Sequence, residues 1–385
     1  MMHRLIYAAL ATAGLVAACG GGIGGTGAPV GNGTLRVGLT DAPACGFDHV
    51  YVTVSKVRVH QSADAGDGES GWSEVVLNPA QRVDLLTLTN GVVRTLGQTT
   101  LPAGTYTQAR LVLAPNNSAS PMANAVVPTG GTETALDVPS GVQSGIKVPL
   151  NVVVPADKVA DVVLDFDACK SVVRRGNSGQ YNLKPVVRAV TVLSEAGQRV
   201  EGHVAASAAS GAQVSVQQNG TPVKATQPDS TGRFVLYPVP TGSYDLVITA
   251  PNRATAVVTG VAVAASAPTV VNTAQAPITP PISSVQTITG SVNPATATVR
   301  ALQTFNGGPT VEVAWGSVNA TSGAFSFQLP VAAPVKVAYN PSILNFVADP
   351  TAAAKYTLEA AAGGAVKTQA IDVSGSVPPV SFTFP

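Results

Sequence analysis

With 385 residues the chain has room for two or three β-domains. Charged residues make up 11% and aromatics 5%, against 38 glycines and 29 prolines, a balance of short strands and turns suited to a compartment outside the cytosol. A net charge of +1, with no long run of either sign, excludes the electrostatic footprint of a nucleic-acid binder and gives no polybasic membrane patch.

The first element in chain order is a leader. Arg4 supplies a positive start, and residues 5–16 form an apolar core of h-region length, too short to span a bilayer. The stretch LVAACGGG follows, with Cys19 after Val16, Ala17 and Ala18. It resembles the bacterial lipobox, with Val16 where the usual leucine stands. That resemblance implies cleavage after residue 18, diacylglycerol on the Cys19 sulfur and an acylated new amine. Buried acyl chains contribute about 0.8 kcal/mol per methylene, so several hold a folded domain firmly. A plain signal peptide with a chance cysteine is the alternative. Gly20, not aspartate, follows Cys19, and by the same resemblance this implies the Gram-negative outer membrane, in either leaflet. Residues 19–33 are Gly-rich and uncharged and read as a flexible leash.

A first folded unit is expected over residues 34–196. LRVGLTDAP leads to a turn, and VYVTVSKVRVH then alternates, with Val50, Val52, Val54, Val57 and Val59 apolar and a phase slip at Ser55-Lys56 of the β-bulge type. RVDLLTL, YTQARLVLA, AVV, IKVPLNVVV, DVVLDFDA and YNLKPVVRAVTVL are further strand candidates, punctuated by LPAGTY, APNNSASP and RRGNSGQ. No long amphipathic helix stands out.

Residues 199–275 read as a sandwich of seven or eight short strands. Residues 276–284, APITPPISS, read as a stiff Pro-rich linker. Residues 285–385 read as a diverged copy of the second unit: ITGSV matches VEGHV, and ATSGAFSFQLP matches DSTGRFVLYPVP. The alanine-rich residues 348–365 favour a short helix or loop. The fold class expected is all-β, as tandem β-sandwich domains behind a lipoprotein leader.

Two families are recognisable in these residues. LTDAP, KVRVH and the LDFDACKSV…YNLKPVVRAV pair resemble the bacterial lipoprotein domain of unknown function 4382, over about residues 35–193. The resemblance implies a secreted or lipid-anchored β-rich domain. Gly232-x-Phe234 and Pro240-x-Gly242-x-Tyr244 resemble the carboxypeptidase regulatory-like domain, which implies a prealbumin-like, mostly non-catalytic sandwich related to carbohydrate-binding-like folds.

Cys45 and Cys169 are the other two cysteines, and in an exported chain a disulfide between them is expected. The long loop it closes gives about 4–5 kcal/mol in the entropic account, less any strain. A redox or metal pair is the alternative, without a CxxC spacing or a histidine cluster to support it. That bond would bring Asp41 and Asp48 towards Asp165 and Asp167. Asp165 and Asp167 alternate to one strand face and leave Leu164, Phe166 and Ala168 the other. Such oxygens could hold Ca²⁺; the competing reading is a solvated sheet face with Asp41 capping a turn.

The mature chain keeps only His49, His60 and His203, and it has no Gly-x-Ser-x-Gly, His-Glu-x-x-His or phosphate-loop motif. It therefore reads as non-catalytic. Of the two tryptophans, Trp72 follows a polar loop, and Trp315 alternates with Val311 and Val313 as a core residue would. Tyr106 and Tyr244, each after Pro-x-Gly-x, read as strand-corner tyrosines. The expected role is structural, adhesive or binding. The membrane is met through lipid, and an envelope polysaccharide or protein is the partner class; a surface carbohydrate-binding module and a calcium-dependent binder are the rivals.

Overall fold

The computed structural model describes residues 31–41, 46–176, 178–194, 196–316 and 318–385. The leader, Cys19 and Cys45 lie outside them. The described chain is built almost wholly of strands, its longest helix being the five-residue turn Pro139–Gln143. None of its helices is long and apolar enough to cross a membrane.

The first unit holds β1 (Asn32–Asp41), β2 (Phe47–His60), β3 (Ser73–Asp84), β4 (Arg94–Pro102), β5 (Gly104–Leu113), β6 (Ala125–Pro128), β7 (Thr134–Asp137), β8 (Ile146–Val154), β9 (Val159–Phe166), β10 (Val172–Arg175), β11 (Gln180–Leu183) and β12 (Val187–Val192). One sheet runs β12-β9-β1-β4; the larger one runs β10-β11-β7-β6-β2-β5-β8, with β3 beside β2. Alternating side chains from both sheets, Leu35, Val52, Leu111 and Phe166 among them, form a single core. The slip at Ser55 is a bulge, where the β2 register shifts between Val54 and Lys56 against both β3 and β5. That shift lets Val54 and Val57 both face inward. β1 and β9 pair in parallel, so Thr40 stands opposite Asp165 and Asp41 opposite Phe166. Two acidic strand ends thus meet at one edge of the unit.

The second unit holds β13 (Val200–His203), β14 (Gln213–Gln218), β15 (Thr221–Thr226), β16 (Arg233–Leu236), β17 (Gly242–Thr249), β18 (Ala256–Val263) and β19 (Thr269–Val270). The third holds β20 (Val285–Asn293), β21 (Thr298–Thr304), β22 (Thr310–Gly316), β23 (Ala324–Pro330), β24 (Val335–Ala338), β25 (Val347–Ala348), β26 (Lys355–Ala362), β27 (Ala365–Asp372) and β28 (Val380–Thr383). The sheets β16-β13-β19 and β15-β14-β17-β18 of the second recur as β23-β20-β28 and β22-β21-β26-β27 in the third. These are tandem β-sandwiches of one topology.

The shared residues explain the shared form. Gly202 pairs with Phe234 and Gly290 with Phe325 across antiparallel strands. Each phenylalanine ring lies over its glycine, and a Cβ there would meet the ring at 2.8 Å and 2.3 Å respectively. Gly232 and Gly323, with φ of +88° and +69°, turn the chain into β16 and β23; a Cβ would sit 1.9 Å from Val204 O and 2.0 Å from Val292 O. The repeated Gly-x-Phe signal is therefore a turn plus a ring that covers a gap in the neighbouring strand.

Two segments take a different course from the sequence expectation. Residues 348–365 form the 3₁₀ turn Pro350–Ala352 and then the hairpin β26–β27 around Gly363-Gly364, both at positive φ. Tyr356, Leu358 and Ala360 alternate into the core, and burial of every second residue outweighs the helix propensity of alanine. β24, which follows the third unit's repeated Gly-x-Phe strand in sequence, pairs in parallel with β18 of the second. Val335, Val337, Tyr339, Leu344 and Phe346 pack on the second unit's core. The Pro-rich segment is also docked: Ile278 is buried in that same core, and its backbone bridges Val204.

Candidate functional site

The three units meet around a cavity of about 310 Å³. The first contributes a helical turn, Ala168–Ser171, just beyond β9. Asp167 caps that turn, its carboxylate accepting from Lys170 N at 3.0 Å. The cap aims Lys170 across the boundary. Its Nζ lies 2.9 Å from Glu312 Oε1 and 4.5 Å from the centre of the Trp315 ring. Arg300 reaches Glu312 at 3.4 Å and Glu359 at 2.8 Å, so two cations and two carboxylates alternate. Gln217 of β14 donates to Glu312 O at 2.7 Å and accepts from Glu312 N at 2.8 Å, imitating a strand pair between the second and third units.

A bulge builds this wall. The β21–β22 register shifts between Ala301 and Leu302, placing Ala314 opposite Ala301 and Glu312 opposite Leu302. Val313 is the extra residue, and beyond it the phase of β22 changes. Trp315, opposite Arg300, therefore shares the outer face with Glu312 and lines the cavity instead of entering the core, as strict alternation predicts. An aromatic ring, amides and a carboxylate around a cavity form a binding arrangement. Thr255, buried on the second unit's side of the cavity just before β18, has a hydroxyl with no hydrogen-bond partner.

The four aspartates do not assemble as one set. Asp41, Asp165 and Asp167 come together at the ends of β1 and β9. Asp48 stands apart, exposed near the start of β2, its carboxylate accepting from Gly130 N at 3.4 Å. Asp165 does face away from Leu164 and Phe166, which are core. Its partner is the ammonium of Lys224 from β15, a buried pair between the first and second units. Asp41 Oδ1 accepts from Ala168 N at 2.9 Å, while Oδ2 has no partner. Burial pushes the Asp41 carboxyl well up; the Ala168 N–H opposes this, Asp167 and Asp165 add to it, and Lys224 opposes it. Burial likewise raises Asp167, against the pull of Lys170. Among the described residues no three of His, Cys, Asp and Glu are placed to hold a metal ion. The calcium set is therefore corrected: one member is remote, and the positive charge among the rest comes from a lysine distant in sequence.

The remaining candidates sit as local chemistry dictates. His49 bonds Asp84 at 2.6 Å and stacks on Tyr51, rather than engaging its neighbour Asp48. His60 lies at the β2 end against Ser70 O and the Trp72 ring. Trp72 is tucked between Arg58 and Arg110, its indole N–H donating to Gly66 O at 3.0 Å, and so pins its own loop. The Tyr106 and Tyr244 hydroxyls donate to Pro102 O and Pro240 O at 2.9 and 2.8 Å. In the third unit, which lacks that turn, Tyr356 from a different strand donates to Pro330 O at 2.7 Å. The sequence offered no local signal for Lys170, Lys224, Glu312 or Gln217, each of which acts on a residue far away along the chain.

Residues 32–185 match the family described as a domain of unknown function (DUF4382), and residues 189–275 match the carboxypeptidase regulatory-like domain. Neither description names a catalytic activity. No curated protein matches the chain. Among solved structures, an N-terminal interface mutant of a type II cohesin–X–dockerin complex from Acetivibrio cellulolyticus aligns at 25% identity over 23% of this chain and 59% of its own, with a TM-score of 0.20. The chain thus spans less than two thirds of that relative. The Bacillus anthracis TIE protein aligns at 11% identity over 92% of this chain and 51% of its own, TM-score 0.16. A streptococcal ancillary pilin aligns at 9% over 91% and 98%, TM-score 0.17. These scores are too low to bear on this chain. What the family matches do establish is that the chain carries a DUF4382 domain followed directly by a carboxypeptidase regulatory-like domain.

Proposed function

We propose that this chain is a non-catalytic, lipid-anchored envelope protein of the Gram-negative outer membrane, which holds a binding surface at the end of a glycine leash. The observation that carries this reading is the junction. The second and third units share a sheet, and the ion pairs Lys224–Asp165 and Lys170–Glu312 tie the first unit to each of them, which supports one joined body over three independent ones. Lipid on Cys19 supplies the anchor. Cys169 takes a disulfide bond, and Cys45 is the partner this reading names, closing the first unit as an exported domain requires. The test is the mass of the mature protein. A chain beginning at Cys19, carrying acyl mass and partitioning into detergent, is the expected result, with a Cys45–Cys169 peptide in a digest without reductant. A bare Cys19 sulfur and full solubility without detergent overturn the anchor.

A second reading, a saccharide ligand, is favoured by one feature, the Trp315 ring beside the amides and carboxylate of the junction cavity. Specific glycan-array hits that vanish in Trp315→Ala would support it; blank wells with the folded chain would remove it.

A further inference from the structure

The seams between the units differ in chemistry. β24 of the third unit extends the second unit's sheet, and two apolar clusters hold residues of both: Val335 and Val337 pack with Val258 and Val261, and Phe305 and Val311 with Val247 and Val257. Among the described residues no apolar cluster holds the first unit together with another. Its contacts are polar. Besides the pairs Lys224–Asp165 and Lys170–Glu312, three backbone amides donate across this seam: Asn90 N to Thr226 Oγ1 at 2.7 Å, Val235 N to Asn90 Oδ1 at 2.6 Å and Ala320 N to Arg174 O at 3.2 Å. A seam without a shared apolar core is the kind along which domains move. The second and third units thus form one body, and the first is set against it as a jaw.

The junction cavity lies on that seam, lined by Lys170 of the first unit, Gln217 of the second and Trp315 of the third. Every charged side chain on its lining is already engaged: Lys170 with Glu312 at 2.9 Å, Asp167 with Lys170 N at 3.0 Å, and Arg253 with Pro280 O at 3.0 Å and Ser207 O at 3.3 Å. The groups left over are uncharged. They are the half-buried Trp315 ring, the exposed Gln328 amide and the Thr255 hydroxyl, a buried group that costs stability unless something answers it. A ring, an amide and a hydroxyl without spare charge suit an uncharged polyhydroxylated ligand. The volume, about 310 Å³, is at the lower end of ligand cavities, about 300–1,000 Å³, and takes one end of a glycan.

We propose that the first unit closes as a jaw on an uncharged saccharide end held in this cavity, so that occupancy and the joining of the units are linked. This coupling rests on the saccharide reading and extends it to the whole seam. Whatever affinity the closed jaw adds for the saccharide, the saccharide returns to the seam, because binding free energies couple reciprocally. The amides of Asn90, Val235 and Ala320 lie off the cavity lining and therefore report closure without touching the ligand.

The test is hydrogen exchange of the full chain titrated with cellobiose, maltose and diacetylchitobiose, with glucuronic acid as the charged comparison. Binding is read from Trp315 emission in Trp72→Phe, which removes the other tryptophan, in a loop away from the cavity. Saturable binding of an uncharged disaccharide is expected, with slowed exchange at the three seam amides. Asn90→Gly keeps the positive φ of its turn, 56°, and removes the side-chain bonds to Val235 N and Arg233 O. It is expected to weaken binding about fivefold with the cavity lining unchanged. Binding that leaves the three amides unprotected, or that is undiminished in Asn90→Gly, overturns the coupling and leaves the saccharide reading standing. No saturable change with any of the disaccharides overturns both. Tighter binding of glucuronic acid overturns the uncharged class.

Discussion

In the second sandwich β18 is flanked on its outer side by β24, whereas its counterpart in the third, β27, has no strand beyond it among the described residues. Burial follows the difference. β18 is largely inaccessible, while seven of the eight residues of β27 are exposed. The added strand comes from an insertion between β23 and β26, where the second unit has only the short Pro-x-Gly-x-Tyr turn between β16 and β17. The third unit thus spends its extra residues on closing its neighbour's edge. Its own edge is left to Lys367 and Asp372, charges of the kind that discourage edge-to-edge association. Two copies of one topology have diverged into a unit that is capped and a unit that does the capping.

The equivalence of the two copies can be broken at the Gly-x-Phe turn, with the largest effect expected. Gly232→Ala and Gly323→Ala each drive a Cβ into a backbone carbonyl at positive φ. Each is expected to cost about 3 kcal/mol or more in chemical denaturation. A tolerated substitution at one site would mean that the two turns are not alike.

The capping itself is sharpened by Val337→Asp on β24. A charge placed against the second unit's core is expected to cost about 2 kcal/mol. Hydrogen exchange should rise in β18, in the second unit, although the substitution lies beyond the third unit's first strands. Loss of protection confined to β20–β23 would count against the donated strand.

Smaller effects attend the corner tyrosines. Tyr244→Phe removes a hydrogen bond to a carbonyl four residues back, and Tyr356→Phe one to a carbonyl on a different strand. Both should cost about 1 kcal/mol. A neutral Tyr356→Phe would show that the third unit has not replaced the lost corner.

The smallest expected change is a slope, at the boundary with the first unit. Burial raises the folded-state pKa of Asp41 above its unfolded value, so the folded chain binds that proton more tightly. Its contribution to stability is fully present below about pH 4, the unfolded value, and is lost as pH rises through the raised one. Asp41→Asn should flatten that part of the decline in a series of melting curves. A profile identical to wild type would mean that Asp41 titrates normally.

Much of each unit was legible along the chain because the signals are local. The valine alternation in β2 and its slip at Ser55 depend on neighbours a few residues apart, as do the Gly-x-Phe turns and the Pro-x-Gly-x-Tyr corners. The Gly363-Gly364 hairpin was equally local, but alanine's helix propensity obscured it. Trp315 was misplaced because one extra residue, Val313, reverses a strand's faces, and the bulge is defined by pairing with β21 rather than by β22 alone.

By itself, then, the sequence determined the all-β class, the order of the units and the repeat within the last two, since period-two burial and turn chemistry are properties of short segments. Only the tertiary structure decided which unit β24 completes, which lysine answers Asp165 and what surrounds the junction cavity. Those choices join residues tens to more than a hundred positions apart, and nothing within either partner's own segment encodes the other.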